Sequence, residues 1–166
     1  YLDTDGRLLR DVLPAHLRVP AALVPLFKQM LLTRMFDTKA VALQRTGKLG
    51  TYAACIGHEA AHVGIGAAMR SGDVFAPGYR EYGAMFMRGV RPRDVLMYWG
   101  GDERGSDFDR NSDAVRDFPI CVPISTQCLH AAGSALAMKL QGKTQIAVAV
   151  CGDGGSAKTD FYAAVN

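Results

Sequence analysis

Hydrophobic residues recur at helical spacing from Pro20 onward, through Leu26-Phe27, Met30-Leu31, Arg34-Met35 and Thr38 to Leu43. This spacing predicts a long helix. It opens on a proline, tolerated in a first turn whose N–H groups lack intrahelical partners, and it stops at Gly47 after basic residues. The residues before it, 1–19, read as an extended arm with a turn at Asp5-Gly6. A second helix is expected from Gly57 to Met69, a short strand from Asp73 to Ala76, and a turn at Pro77-Gly78. Tyr79 to Arg88 and Pro92 to Trp99 read as two short helices. Residues 100–118 are polar and poor in apolar side chains, which predicts a solvent-facing loop; loops this long are usually functional or mobile. Thr126 to Leu140 reads as an alanine-rich helix closed by Gly142-Lys143. Gln145 to Val150 reads as a buried strand, and Gly152-Asp153-Gly154-Gly155 as a glycine turn. A last helix begins at Thr159, where threonine is a good N-cap. No internal repeat or low-complexity segment interrupts this order.

Helix, strand, glycine turn and helix make half of a doubly wound α/β unit, where ligands bind outside the carboxyl ends of strands. The glycine turn stands in that position. Composition narrows the class. Hydrophobic residues make up 49% and charged residues 21% of 166, an ordinary globular balance rather than a disordered one. The formal charge of +3 is too small to imply a nucleic-acid partner, and no basic run carries interleaved aromatics. No apolar run reaches membrane-spanning length, the longest candidate being the strand-sized Ile146–Val150. Tyr1 to Arg10 is polar and acidic, unlike a signal peptide, so the chain reads as soluble. Cysteines 55, 121, 128 and 151 form no CxxC pair and read as free buried thiols in a reducing compartment. Cys151 reads as a small core residue ending a strand, with no histidine close in sequence to activate it.

Three constellations carry chemistry. In Ile146-Ala-Val-Ala-Val-Cys-Gly-Asp-Gly-Gly155, glycines permit positive φ and close backbone approach to a bulky anion. The following helix N-terminus offers amide hydrogens to phosphate. Asp153 would repel a bare diphosphate and fits if a hard cation such as Mg²⁺ lies between them. A plain Asp-Gly loop at a strand end is the other reading. His58-Glu59-Ala60-Ala61-His62 matches the HExxH pattern of zinc hydrolases, with Glu81 a distant third ligand. The extended pattern fails, because positions 65 and 68 hold Ile65 and Ala68. The alternative is a helix opening with Glu59 favoured near its positive end. Third, Tyr79-Arg80-Glu81 follows a strand and turn, where Arg80 could reach a phosphate and Tyr79 add a hydroxyl donor. A surface arginine paired with Glu81 or another acid is the plainer reading.

From about Phe36 to its end the chain resembles the alpha subunit of the thiamine-diphosphate-dependent decarboxylating component of 2-oxoacid dehydrogenase complexes. The resemblance rests on Gln44–Leu49, Gly57–Ala60, Asp73–Glu81, Pro123–Gln127, Gly152–Gly155 and Asp160–Tyr162, in matching order and spacing. Tyr98–Arg104 and Asp117–Pro123 look closest to bacterial pyruvate dehydrogenase alpha subunits. It implies part of a doubly wound, mostly parallel sheet of the thiamine-diphosphate-binding fold. Residues 1–56 would be the N-terminal arm and long helix, and 57–166 an incomplete cofactor domain. The Gly57–Ala60 match accounts for the HExxH without zinc.

Carried over by position, Asp153 binds Mg²⁺, Gly152, Gly154 and Gly155 surround the diphosphate, and Tyr79 and Arg80 hold its oxygens. Ile124 is the apolar wedge that bends the cofactor. Thr126 and Gln127, with the Pro123 carbonyl, match a monovalent-cation site in which Cys121 replaces a serine. The implied reaction is oxidative decarboxylation of a 2-oxoacid, pyruvate first, with the acyl group passed to a lipoyl carrier. The implied partners are a beta subunit in an α₂β₂ assembly, which supplies the activating glutamate, and a lipoyl-bearing acyltransferase. The implied location is the bacterial cytoplasm. No residue of this chain is assigned as catalytic base. The family's second metal ligand, an asparagine, falls beyond Asn166, so this chain alone is expected to bind cofactor weakly and to be inactive. A zinc hydrolase and a non-catalytic interaction subunit are the alternatives.

Overall fold

The computed structural model describes residues 3–9 and 14–166. The expected arm over residues 1–19 falls partly on residues 1–2 and 10–13, outside the described residues. Its turn forms as expected: Gly6 has φ +78°, and Asp3 Oδ1 accepts the amides of Asp5 and Arg7 at 2.9 and 2.7 Å. Helix α1 spans Pro20–Arg45 with a proline in its first turn, and Gly47 (φ +70°) ends it as anticipated. Then follow α2 (Glu59–Ala68), β1 (Val74–Ala76), α3 (Tyr82–Met87), α4 (Pro92–Trp99), α5 (Thr126–Leu140), β2 (Ala147–Ala149) and α6 (Thr159–Val165). The architecture is helix-rich α/β around a two-stranded parallel sheet, with Val74 paired to Ala147 and Ala76 to Ala149. No helix among the described residues is long and apolar enough to cross a membrane.

The core forms where α1 crosses α2 and α3, with Phe75 of β1 buried in the same cluster. Phe36 meets Tyr82 and Phe86 edge-to-face at centroid distances of 5.6 and 5.1 Å, and Tyr52 stacks on Tyr82 at 5.5 Å. Such pairs contribute about 0.5–1.5 kcal/mol each beyond the area they bury. The buried Asp37 carboxylate accepts from the Tyr52 hydroxyl at 2.8 Å and the Cys55 amide at 2.7 Å, so the chain leaving α1 is tied back onto it. Asp73 sets the sheet register. Its Oδ2 accepts the Arg70 amide (2.7 Å) and its Oδ1 the Ile146 amide (3.0 Å), while the Val74 amide donates to the Ile146 carbonyl (2.9 Å).

Three expectations are corrected. The strand expected as buried from Gln145 to Val150 is ordered as β2 only over Ala147–Ala149 and is half-buried, with Ile146 54% exposed. Among the described residues it has one strand neighbour, so one edge stays uncovered. The segment 100–118 is not simply solvent-facing. It forms 3₁₀ turns at Glu103–Ser106 and Asp113–Arg116 and buries Gly105, Ala114 and the Asp117 side chain. Gly105 lies against the α4 backbone at Asp94 and Tyr98, where a side chain would collide. Asp117 is drawn inside by Arg88, whose Nη2 donates to Asp117 Oδ1 at 2.8 Å and to the Asp73 carbonyl at 2.6 Å. Finally, α6 is preceded by Lys158 as N-cap without a side-chain capping bond, so Thr159 is the first helical residue rather than the cap.

Arg88 and Asp117 are both almost fully buried, and the remaining Asp117 capacity accepts the Phe75 amide at 2.8 Å. Removing one partner leaves an uncompensated charge. Arg88→Met should therefore cost roughly 3–5 kcal/mol, read as a fall in the urea midpoint. The double change Arg88→Met with Asp117→Asn should recover part of that loss; equal loss in single and double variants would refute the pairing.

Candidate functional site

Because β1 and β2 run parallel, their carboxyl ends lie on the same side, and the loop after each reaches one cavity of about 230 Å³. From β1 come Gly78, Tyr79, Arg80 and Glu81; from β2 come Cys151 and Gly152; Ile124 and Ser125 arrive just before α5. Of the residues singled out in the sequence, the structure thus brings Tyr79, Arg80, Ile124 and Gly152 to one cavity, with His58, His62, Glu81, Gln127 and Cys151 on the same lining. Gly155 sits buried behind it, whereas Asp153 and Gly154 are exposed and do not line it.

Arg80 is held without being neutralised. Its Nε donates to the Ala54 carbonyl at 3.1 Å and its guanidinium lies 4.7 Å from the Tyr79 ring centroid. No carboxylate forms a salt bridge with it among the described residues, so the plainer reading of a surface arginine paired with Glu81 does not hold. Only the Arg80 backbone amide approaches Glu81 Oε2, at 3.4 Å. Burial pushes the Glu81 carboxyl above the usual carboxylate range, against the lowering effect of backbone amides and Arg80. Tyr82 explains why helix α3 starts later than expected. Its hydroxyl lies within bonding distance of the Ala53 (3.0 Å) and Tyr79 (2.7 Å) carbonyls, which keeps Tyr79–Glu81 in the loop facing the cavity.

The glycine turn uses close approach rather than positive φ. None of Gly152, Gly154 or Gly155 has positive φ, and Gly152 sits at −78°, so the freedom that glycine permits is not used there. A 3₁₀ turn, Asp153–Ala157, follows instead. The left-handed residue is Ser125, with φ 71°, fully buried, its hydroxyl donating to the Gly155 carbonyl at 2.7 Å. A Cβ on Gly155 would lie 2.7 Å from Ser125 Oγ and 3.2 Å from Cys151 Cβ. Only a glycine lets the turn close on Ser125. Gln127 adds a second tie, its Nε2 donating to the Val150 carbonyl at 2.7 Å. Sequence reasoning missed Ser125, because a serine gives no signal of positive φ; the bond to Gly155 decides it. All four cysteines are free thiols, Cys55, Cys121 and Cys128 buried and Cys151 half-buried.

The HExxH glutamate is otherwise engaged. Glu59 pairs with Arg34 Nε at 2.5 Å through Oε1 and accepts the Gly57 amide at 3.0 Å through Oε2. The Arg34 hydrogen bond holds its carboxyl down to about 2, against the cost of burial. A carboxylate so bound is a poor general base. His58 is exposed at the start of α2 and His62 is buried, with ring centroids 5.3 Å apart. Among the described residues no three His, Cys, Asp or Glu side chains are grouped to hold a metal, so Glu81 does not complete a zinc site.

Residues 27–166 match the family described as Dehydrogenase E1 component. The chain belongs to the dehydrogenase E1 component family. It is 38% identical over 137 residues to the pyruvate dehydrogenase E1 component subunit alpha of Mycoplasma genitalium, covering 82% of this chain and 37% of that protein. It is 40% identical over 142 residues to the 3-methyl-2-oxobutanoate dehydrogenase subunit alpha of Mycobacterium tuberculosis, covering 85% and 38%. It is 35% identical over 164 residues to the pyruvate dehydrogenase subunit alpha of Acholeplasma laidlawii, covering 99% and 46%. The chain thus spans less than half the length of these E1 relatives. The match begins at residue 27, so it takes in most of α1 as well as the segment from Phe36 that first suggested the family.

Two outcomes follow from this geometry. Gly155→Ala should separate Ser125 from the turn and lower stability by about 1–3 kcal/mol, measured by denaturant unfolding, with Gly154→Ala, which meets nothing within 4 Å, as the near-neutral control. Acid should also weaken the fold through His62, whose imidazole burial lowers from 6.5 to about 4, with the His58 charge acting the same way. The unfolded chain then takes up the proton first. Stability is complete above 6.5, falls as the pH drops toward 4, and loses on the order of 3 kcal/mol in all. The urea midpoint measured between pH 7 and 4.5 checks this, and His62→Phe should flatten the dependence.

Proposed function

We propose that this chain is the part of an E1 alpha subunit that holds the diphosphate end of thiamine diphosphate during oxidative decarboxylation of a 2-oxoacid. Residues 57–166 belong in this reading to a doubly wound cofactor-binding domain, with 1–56 as its arm and long helix. The observation that carries the reading is the convergence of Tyr79, Arg80, Ile124 and Gly152 on one cavity at the carboxyl ends of two parallel strands. The donor set suits a diphosphate: an unneutralised guanidinium, a phenol beside it and a glycine backbone opposite. Ile124, half exposed on the same wall, supplies an apolar surface against which the cofactor can bend.

The metal fits less completely. Asp153 is an exposed carboxylate one residue beyond the cavity wall, and Gly154 and Gly155 follow as backbone around it. Mg²⁺ takes an octahedral oxygen shell and usually keeps several waters, so Asp153 and diphosphate oxygens would share the ion with water. For the monovalent cation, the buried Gln127 Oε1 has no partner, but the Thr126 hydroxyl donates to Asp160 at 2.6 Å.

When bound, thiamine diphosphate supplies the carbon nucleophile and the electron sink that loss of CO₂ requires. The residues of this chain bind and orient; none is assigned as the acid or base. Acyl transfer would go to a lipoyl carrier on an acyltransferase, with a beta subunit completing the site in an α₂β₂ enzyme of the bacterial cytoplasm. Phe27, Leu31 and Met35 support such assembly, because they expose an apolar stripe along α1 of the kind a partner subunit covers. Pyruvate is the first substrate to test. The 40% identical relative named for 3-methyl-2-oxobutanoate makes the branched-chain acid the second.

Calorimetric titration of thiamine diphosphate with Mg²⁺ into the chain, alone and with a beta subunit, tests the proposal. Arg80→Ala should weaken binding by about 10–100-fold, the worth of a charge-assisted contact of about 1.5–3 kcal/mol. Unchanged affinity in that variant would remove the diphosphate from this cavity.

A further inference from the structure

His62 lines the cavity yet is only 3% exposed, and its Cβ is closely packed. A Cβ on Gly83 of α3 would lie 2.9 Å from His62 Cβ and 3.3 Å from Thr33 Oγ1 of α1, so α2 is pressed between its neighbours at this point. The imidazole nonetheless has no hydrogen-bond partner on either nitrogen among the described residues, and Nδ1 is sealed from solvent. The open nitrogen is therefore Nε2, on the side of the cavity. Leaving buried polar atoms unpaired costs about 1–3 kcal/mol, and buried groups of this kind normally have a partner. An apolar residue would fill the same wall without that cost.

The other polar groups on this wall identify the partner. Arg80 and Tyr79 gather on the β1 loop beside Glu81, whose carboxyl burial pushes above the usual carboxylate range, and Gly152 lies on the β2 loop, while Glu59 is turned away to Arg34. We propose that His62 is a further ligand-contacting residue, its Nε2–H donating to an anionic oxygen of the diphosphate group; this rests on the diphosphate reading above. Burial keeps the ring neutral at neutral pH, so it carries one N–H and one bare nitrogen. An anionic oxygen at the cavity selects the Nε2–H tautomer and leaves Nδ1 bare. His58, edge-on beside it and exposed, lines the same cavity, so its signals are followed separately from those of His62.

The test uses the full chain labelled with ¹⁵N at histidine, with inorganic pyrophosphate and Mg²⁺ as the probe. Long-range ¹H–¹⁵N spectra should show the His62 signals moving saturably to the Nε2–H pattern, with the midpoint found by calorimetry. His62→Leu should weaken pyrophosphate binding about tenfold. The spectra of the unaltered chain stand even if that variant does not fold. Binding that depends on Arg80 while His62 signals stay fixed would overturn the inference, assign only water to Nε2, and leave the diphosphate reading intact. No binding sensitive to Arg80→Ala would overturn both.

Discussion

The buried ion pair between Arg88 and Asp117 is the constraint on which the site depends. Arg88 stands at the end of α3, and its guanidinium bridges the Asp73 carbonyl and the Asp117 carboxylate. Asp117 in turn receives the Phe75 amide, and the next residues run beside β1, with Phe118 donating to the Phe75 carbonyl and Cys121 to that of Pro77. A charge pair removed from water is held only when its remaining hydrogen-bonding capacity is used, as it is here. The long polar excursion after α4 is thereby brought back along the strand, and Ile124 and Ser125 are delivered to the cavity.

The cavity closes by a different device. Ser125 is held in left-handed backbone, which costs a non-glycine residue about 1–2 kcal/mol, and its hydroxyl bond to Gly155 offsets that strain. The glycine turn therefore serves packing first. Its glycine at 155 gives room for Ser125, and its glycine at 152 brings bare backbone to the cavity. Conformational freedom is not what the turn uses.

The HExxH segment shows how far partners govern the meaning of a motif. The spacing of His58, Glu59 and His62 on one helix is real, but Arg34 from α1 claims the glutamate and leaves it a structural anchor. His62 is turned instead into the wall shared with Arg80 and Gly152. Nothing in the segment itself announces that Arg34, 25 residues upstream, reaches it.

Local signals alone determined much of this protein. Pro20 and Gly47 bound α1, Pro92–Trp99 and Thr126–Leu140 form helices over the ranges their periodicity predicts, and motif order pointed to the E1 family. These features depend on backbone propensity and spacing within a few turns, which a sequence displays directly. Tertiary structure decided the rest: the inward turn of Asp117, the left-handed Ser125, the half-buried β2 and the orphaned imidazole of His62. Each of these is set by a group more than twenty residues away, Arg88 for Asp117, Gly155 for Ser125, β1 for β2 and Gly83 for His62. Burial, ion pairing and backbone strain are properties of such distant meetings, so no local pattern could carry them.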